Sequence, residues 1–532
     1  MRTNGQSITA VAALIAALSF ASRLLGLVRD RVLAGTFGAG EVLDAYYAAF
    51  RIPDVVFNLL GLAALSAAFL PIFMRLRQRD RTDAHRFASR VFSNAALLLI
   101  VLAAIGALAA GPLFAAIAPG FTAAQLALTA SFGRVLFIAT ILLGLSSVVG
   151  GVLQAEERFL AFAAAPLLYN IGIIAGVLLL VPVLGPIGIA WGVVAGAGGH
   201  LVLQGIAARR TGLRLRWSPS WRNEHVRAMV RQLLPRIAAL GAQQVQLLVI
   251  AGIASTLAAG SLAVFTLAVN IAMVPVALFG YSFAIAAFPR FSGAVAAGDL
   301  AQFRDHFSQT FRQIALLAFP AIVALLALKA QIVRVILGTG AFGWADTVRT
   351  LETLEAFGFG LFFLMIVPLC TRAFYAWEDT RTPFVVSIIA DGIGIVAAWF
   401  LGRAMGPRGL AFGFAIAAGV QSSLLLLALR RRAGALDESR INGALLKFGI
   451  AAIAMGVVIQ LVKPGIASLL GTETFVGIAL QGALAGGLGF GAYLGVGVLL
   501  RSSEITALAK ALHTRVLRAA RLPTGGADEA RG

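Results

Sequence analysis

The sequence holds one cysteine in 532 residues, five histidines, and charged side chains at only 12% of its positions. The lone thiol, Cys370, sits inside an apolar run, so no intrachain disulfide can form and a free buried thiol is expected. The histidines are scattered without the spacing of a metal site. A soluble domain carries about 25% charged and about 45–50% apolar residues. Here the apolar set reaches 60% and the mean hydropathy is +0.91, which leaves too little polar surface to coat the chain. A soluble protein, a disordered one and a disulfide scaffold are excluded, and a multi-spanning membrane protein remains.

Catalytic signatures are also missing. There is no Ser-His-Asp set, phosphate loop or Asp-rich magnesium motif, so an enzyme is disfavoured and no cofactor is expected. The paired acids Glu156-Glu157 and Glu378-Asp379 fall in connections between apolar runs, where helix capping and turn formation suit them better than catalysis.

What the chain does contain is about fourteen apolar segments, the first near 8–34 and the last near 475–500. The first continues through Ser22-Arg23-Leu24-Leu25-Gly26 with no convincing small-residue cleavage site, and reads as a retained helix. Even-numbered connections and both termini hold about thirty Lys and Arg, among them Arg75, Arg77, Arg79, Arg209, Arg210 and Arg430 to Arg432, against about four in the odd ones. That bias puts the even connections and both ends in the cytoplasm. The net charge of +20 is then mostly a topology signal whose partners are anionic lipid headgroups, and a nucleic-acid role is not expected.

The chain also repeats. Gly185-Pro186-Ile187-Gly188-Ile189-Ala190-Trp191-Gly192 returns 221 residues later as Gly406-Pro407-Arg408-Gly409-Leu410-Ala411-Phe412-Gly413, and Arg209-Arg210 returns as Arg430-Arg431. Asn170 meets Asp391 at the same offset, and Ala67-Ala68-Phe69 recurs close to it as Ala286-Ala287-Phe288. The expected architecture is all-α and polytopic. Two six-helix lobes, 1–210 and 211–432, are related by a pseudo-two-fold axis along the membrane normal, followed by two helices over 433–500 and a basic cytoplasmic tail over 501–532. Transporters with this symmetry place cargo between their lobes and rock one against the other.

Intramembrane charge is costly, about 2.5–3.5 kcal/mol per residue on insertion scales, and here it gathers in the first two helices. Arg23, Gly26 and Asp30 share a helical face, flanked by Arg29 and Arg31; Asp44, Tyr47, Arg51, Asp54 and Asn58 form a stripe that Pro53 should bend. Two readings are open. Charges near helix ends snorkel or pair for folding, a reading weighed for Arg31 and Asp54. For Arg23, Arg29 and Arg51, with Asp30 and Asp44 as counter-charges, a polar interior cavity for an anionic cargo is the favoured reading, since arginine holds phosphate oxygens with a fixed fork and stays charged when desolvated. Gln232, Arg236, Gln243 and Gln246 make a further polar stripe, Asn270 is a lone amide, and isolated Asp391 is either a protonated packing residue or a weak cation-site candidate.

The run Ser22-Arg23-Leu24-Leu25-Gly26-Leu27-Val28-Arg29-Asp30, then Phe37-Gly38-Ala39-Gly40, Asp44-Ala45 and Phe50-Arg51-Ile52-Pro53, resembles the amino-terminal signature of the MviN/MurJ family. These are bacterial lipid II flippases of the multidrug/oligosaccharidyl-lipid/polysaccharide exporter superfamily. The similarity continues through Ala118-Pro119-Gly120-Phe121, Arg158-Phe159 to Asn170, and Phe374-Tyr375 with Thr382-Pro383. It implies fourteen helices around a cationic cavity in the bacterial inner membrane. There the pyrophosphate and sugar-peptide headgroup of the undecaprenyl-linked peptidoglycan precursor would bind, with helices 13 and 14 forming a groove for its tail. By position, Arg23 and Arg29 match cavity arginines, Asp30 and Asp44 match family acids, and Arg51 falls where a basic residue is common. Phe57 and Asn270 stand where the family usually has arginine, and Leu62-Ala63-Ala64 replaces an acid-containing motif; Asn58 and Arg236 are the candidate substitutes. Export of another lipid-linked saccharide, or a non-transporting scaffold that binds precursor beside other wall-synthesis proteins, are the alternatives.

The charge bias yields a direct test. A green fluorescent protein fused after Gly532 should fluoresce while an alkaline phosphatase fused there stays inactive; the opposite pattern would reverse the orientation.

Overall fold

Hydrocarbon offers the backbone no hydrogen bonds, so apolar runs must satisfy their own amides and coil into helices. The computed structural model describes residues 8–62, 69–471 and 473–520, and every regular element among them is a helix. Ala63-Ala64 and the chain beyond 520 lie outside the described residues, as do the side chains of Arg236 and Gln243. Ten helices among the described residues are long and apolar enough to span a membrane. One of these runs, Phe159–Arg209, is 51 residues long; at about 1.5 Å per residue it far exceeds a hydrocarbon core of about 30 Å. It breaks at Gly185, where φ is +69°. Ile8–Phe37, Glu41–Val56 and Glu224–Ser255 are not among the ten, and these are the helices that carry most of the polar stripes.

The chain forms two compact units that do not follow chain order: 1–274 with 336–357 and 384–417, and 275–335 with 358–383 and 418–532. In the first, the limbs Phe159–Ala175 and Gly188–Arg209 pack closely, and the reason is in the sequence. Gly172 and Gly176 on one limb face Gly196 and Gly192 on the other, so the backbones touch; a Cβ on Gly192 would lie 2.6 Å from the Gly176 Cα. Small residues four apart on both faces are the standard means of close helix approach in a membrane. A second apolar core joins Phe69, Phe73, Phe87, Val149, Val152 and Leu153. Beside it, Arg77 and Arg81 meet the Glu156 carboxylate at 3.2 and 3.3 Å.

In the second unit, Glu438–Leu470 and Phe475–Leu499 pair and lie against Leu300–Ala327. Phe448, Met455, Ile459, Ala485 and Tyr493 form the shared core, and the buried Tyr493 hydroxyl donates to the Leu316 carbonyl at 2.8 Å. Phe303, Phe307 and Phe311 recur every fourth residue along one helix face, and Trp377 packs on Phe303 with ring centroids 4.4 Å apart. Asp379 caps the next helix by accepting from the Thr382 N–H and hydroxyl, and it also accepts from Arg432 at 2.7 Å. Burial would raise the Asp379 pKa, but those bonds and the Arg432 charge outweigh it and hold the carboxyl below the usual range.

The backbone repeats as the sequence does. The π-helical turn Phe57–Leu62, just after Pro53, is matched by Val276–Tyr281 after Pro275. Positive φ recurs at Gly38 and Gly260, Glu157 and Glu378, Gly185 and Gly406, and Gly212 and Gly434, each pair 221 or 222 residues apart.

Gly192→Leu should force the paired limbs apart and lower the thermal midpoint of the purified protein, an overpacking cost of about 1–3 kcal/mol. Gly198→Leu, whose Cβ would meet nothing within 4 Å, should leave it unchanged.

Candidate functional site

A desolvated charge is tolerated when polar partners surround it, and the first unit gives Arg29 three hydrogen bonds. Its Nε and Nη2 both donate to Asp30 Oδ1, at 3.0 and 2.7 Å, and Nη1 donates to Asn170 Oδ1 at 3.2 Å. Asn170 Nδ2 reaches back to the Pro166 carbonyl at 3.2 Å and to Ser22 at 3.4 Å. The other oxygen of Asp30 accepts from Asn270 Nδ2 at 2.8 Å. One buried carboxylate thereby joins the first helix to the helix that carries Asn270, and Arg29 joins both to the helix of Asn170.

Arg51 lies next, beside Asp54 one turn along. Its Nε and the Tyr47 hydroxyl are both buried without a hydrogen-bond partner among the described residues. Tyr46 packs edge-on to Phe50 and Phe132, which seals the apolar side of the cluster. Asn58 is partly buried in the π-helical turn, and Arg23 is exposed two turns before Asp30. Asp391 is partly buried on Arg381–Met405, and no group of three His, Cys, Asp or Glu side chains forms a metal site among the described residues.

Asp44 is bonded to backbone amides, with the Arg349 charge nearby. Its carboxylate accepts from the backbone N–H of Gly260 at 2.6 Å and of Ala263 at 2.8 Å, capping the start of Ser261–Pro275. Helix N-termini carry exposed amides and partial positive charge, which is why an acid settles there. Gly260 itself has φ +83°, and a Cβ on it would collide with the Ala39 carbonyl. Around this cap the loops of the same end are tied together. Ala39 N–H donates to Asp346 at 3.1 Å, Ala341 N–H to the Gly35 carbonyl at 2.7 Å, and Gly120 N–H to Ser255 Oγ at 3.2 Å. Arg349 donates to the Ala259 carbonyl and Ser261 Oγ at 3.0 and 3.2 Å. Sequence reasoning brought forward Arg29, Asp30 and Asn270 but missed Ser22 and Tyr46 as members of the cluster, and Asp346 and Arg349 as clasp residues. The scarcity of arginine in odd connections was the signal that could have drawn attention to Arg349.

Arginines paired with acids inside a polytopic all-α chain, with backbone turns that recur at one offset, define a membrane-protein architecture. A solved structure titled as an inward-facing MATE family transporter of the MOP superfamily has this fold, with a TM-score of 0.67 at 18% identity over 80% of this chain and 99% of its own. A closer fold match, at TM-score 0.77 and 22% identity, covers 93% of this chain and all of a structure titled "Lipid II flippase MurJ, inward closed conformation". The family profile described as "Lipid II flippase MurJ" matches residues 33–479. A curated relative from Rickettsia prowazekii, "Probable lipid II flippase MurJ", is 26% identical over 482 residues, 88% of this chain and 95% of the relative. The chain belongs to the lipid II flippase MurJ family, and it is a multi-pass membrane protein.

Asp44→Asn leaves one acceptor oxygen where two amides need them. Hydrogen exchange at the Gly260 and Ala263 amides should accelerate by roughly tenfold, the scale of one lost charge-assisted bond. Unchanged exchange would show that the cap does not hold this end.

Proposed function

We propose that the protein carries a polyprenyl-pyrophosphate-linked peptidoglycan precursor, lipid II, from the cytoplasmic to the outer leaflet by alternating access. The observation that carries this reading is the Arg29–Asp30–Asn170–Asn270 network beside Arg51, pre-held arginines inside a chain of the flippase family. A pyrophosphate entering hydrocarbon loses its hydration, and charge-assisted bonds from pre-held arginine forks offset that loss. Arg23, Arg29 and Arg51 supply the forks, with Asn58, Asn270 and Arg236 as further contacts. Asp30 keeps Arg29 aimed, and its second oxygen moves with Asn270, so the arginine and the helix of Asn270 shift together. No bond in the cargo is made or broken. The Asp44 cap holds the odd-connection end shut and releases as access switches.

In this reading the repeats 1–210 and 211–432 are the rocking lobes, 433–500 guides the lipid tail, and both termini and the tail from 501 face the cytoplasm of a bacterium, where basic connections meet anionic lipids. Other wall-synthesis proteins hand over or receive the cargo. A second reading, export of a different lipid-linked saccharide, draws on Asn270, which gives Asp30 a neutral donor.

The decisive experiment depletes the native flippase of a bacterium and expresses this chain. Lipid II should reach the outer leaflet, and Arg23→Ala or Arg29→Ala should abolish the rescue while protein levels hold. Correct insertion without rescue overturns lipid II as the cargo; rescue by both variants overturns the arginine mechanism.

A further inference from the structure

Lys and Arg are scarce at the odd-connection end, yet three arginines converge there on one cavity of about 510 Å³ in the first unit. Arg349 lies in the second turn of Trp344–Ala376, while Arg403 is in the last turn of Arg381–Met405 and Arg408 follows Pro407 at the start of the next helix. Glu352, Thr256 and Ser261 complete the polar lining. Arg349 is anchored through the Ala259 carbonyl and Ser261 Oγ. The other two lean on rings, Arg403 at 3.7 Å from the Trp399 centroid and Arg408 at 5.7 Å from that of Phe412. A guanidinium resting on a ring face keeps its in-plane N–H groups available to an acceptor. Arg408 Nε is buried with no acceptor among the described residues. The 27-residue helix Pro407–Ala433 also starts at this cavity, adding the partial positive charge of its first turn.

The cavity has an apolar neighbour. A groove of about 640 Å³ in the same unit is lined by Ile117, Leu248, Ile253, Val396, Trp399 and Phe400. Thr256 lines both spaces, and Trp399 is a wall of the groove while its ring carries Arg403. Val396 and Phe400 are 57% and 67% exposed, as a surface facing hydrocarbon would be.

We infer that cavity and groove together bind a lipid phosphate, with phosphate oxygens among Arg349, Arg403 and Arg408 and the hydrocarbon chain along Trp399 and Val396. Glu352 accepts from a hydroxyl or ammonium of the headgroup. With the odd end outside, this is an outer-leaflet site, distinct from the Arg29 cluster. Its occupant is either a resident phospholipid or, resting on the proposed function, cargo that has already crossed.

Native mass spectrometry of the full chain tests this with three lipids: phosphatidylglycerol, undecaprenyl pyrophosphate, and diacylglycerol as the phosphate-free control. Arg403→Gln/Arg408→Gln should weaken at least one phosphate lipid by roughly tenfold and leave diacylglycerol unchanged. Val396→Trp should weaken the same lipid while inorganic pyrophosphate binding persists. Selective loss of phosphatidylglycerol assigns the site to resident phospholipid, and selective loss of undecaprenyl pyrophosphate assigns it to cargo. Arg403→Lys/Arg408→Lys, which keeps charge but not the fork, covers the case in which the glutamine pair fails to fold. The site is overturned if the wild type retains neither phosphate lipid, if both variant pairs bind as the wild type does, or if diacylglycerol falls equally. Phosphatidylglycerol binding that persists in a chain unable to rescue lipid II transport separates failure of the flippase reading from failure of this one.

Discussion

A charge inside a membrane has to be held by the protein, and in this chain the holder is Asp30. One oxygen takes two N–H groups of Arg29 and the other takes the Asn270 amide, so both oxygens are engaged and the acid is nearly inaccessible at 2% exposure. A buried pair of this kind adds little net stability, because desolvation offsets most of the attraction. Its value lies in geometry. Arg29 is aimed without a flexible search: a third N–H finds Asn170, and one N–H on each terminal nitrogen stays open.

The two acids of the signature divide the work by what surrounds them. Asp30 lies mid-helix, where every backbone amide is already bonded within the helix, so it can be satisfied only by side chains. Asp44 lies near a helix start across from another helix start, where free amides are plentiful, and it takes two of them. The same residue type thus acts as an arginine holder in one place and as a latch in the other. The latch is made entirely to backbone, so it depends on chain conformation at Gly260 and not on the identity of a partner side chain.

Most of the helical architecture was legible in the sequence, because hydropathy, turn glycines and proline act locally. The duplicated π-helical turns after Pro53 and Pro275, and positive φ at Gly185 and Gly406, fall where the repeat put them. Arg29, Asp30 and Asn270 were legible as well, since charge or amide within an apolar run is conspicuous. The role of Asp44 was not, because its partners are backbone amides more than 200 residues away that carry no letter of their own. Tyr46 escaped for a related reason: an aromatic residue in an apolar run looks like packing until the arginine beside it is placed.

The distribution of arginine ties these parts together. On the even-connection side arginines are numerous and several are neutralised pairwise, Arg77 and Arg81 by Glu156 and Arg432 by Asp379. On the odd side few are kept, and Arg349, Arg403 and Arg408 are held by a carbonyl, a hydroxyl and ring faces, with one lining acid, Glu352, in their cavity. An insertion bias alone accounts for scarcity on that side but not for convergence. Arginines that orient a helix work equally well dispersed, whereas arginines that hold an anion must share one space, and ring contacts that leave N–H donors open fit the second use.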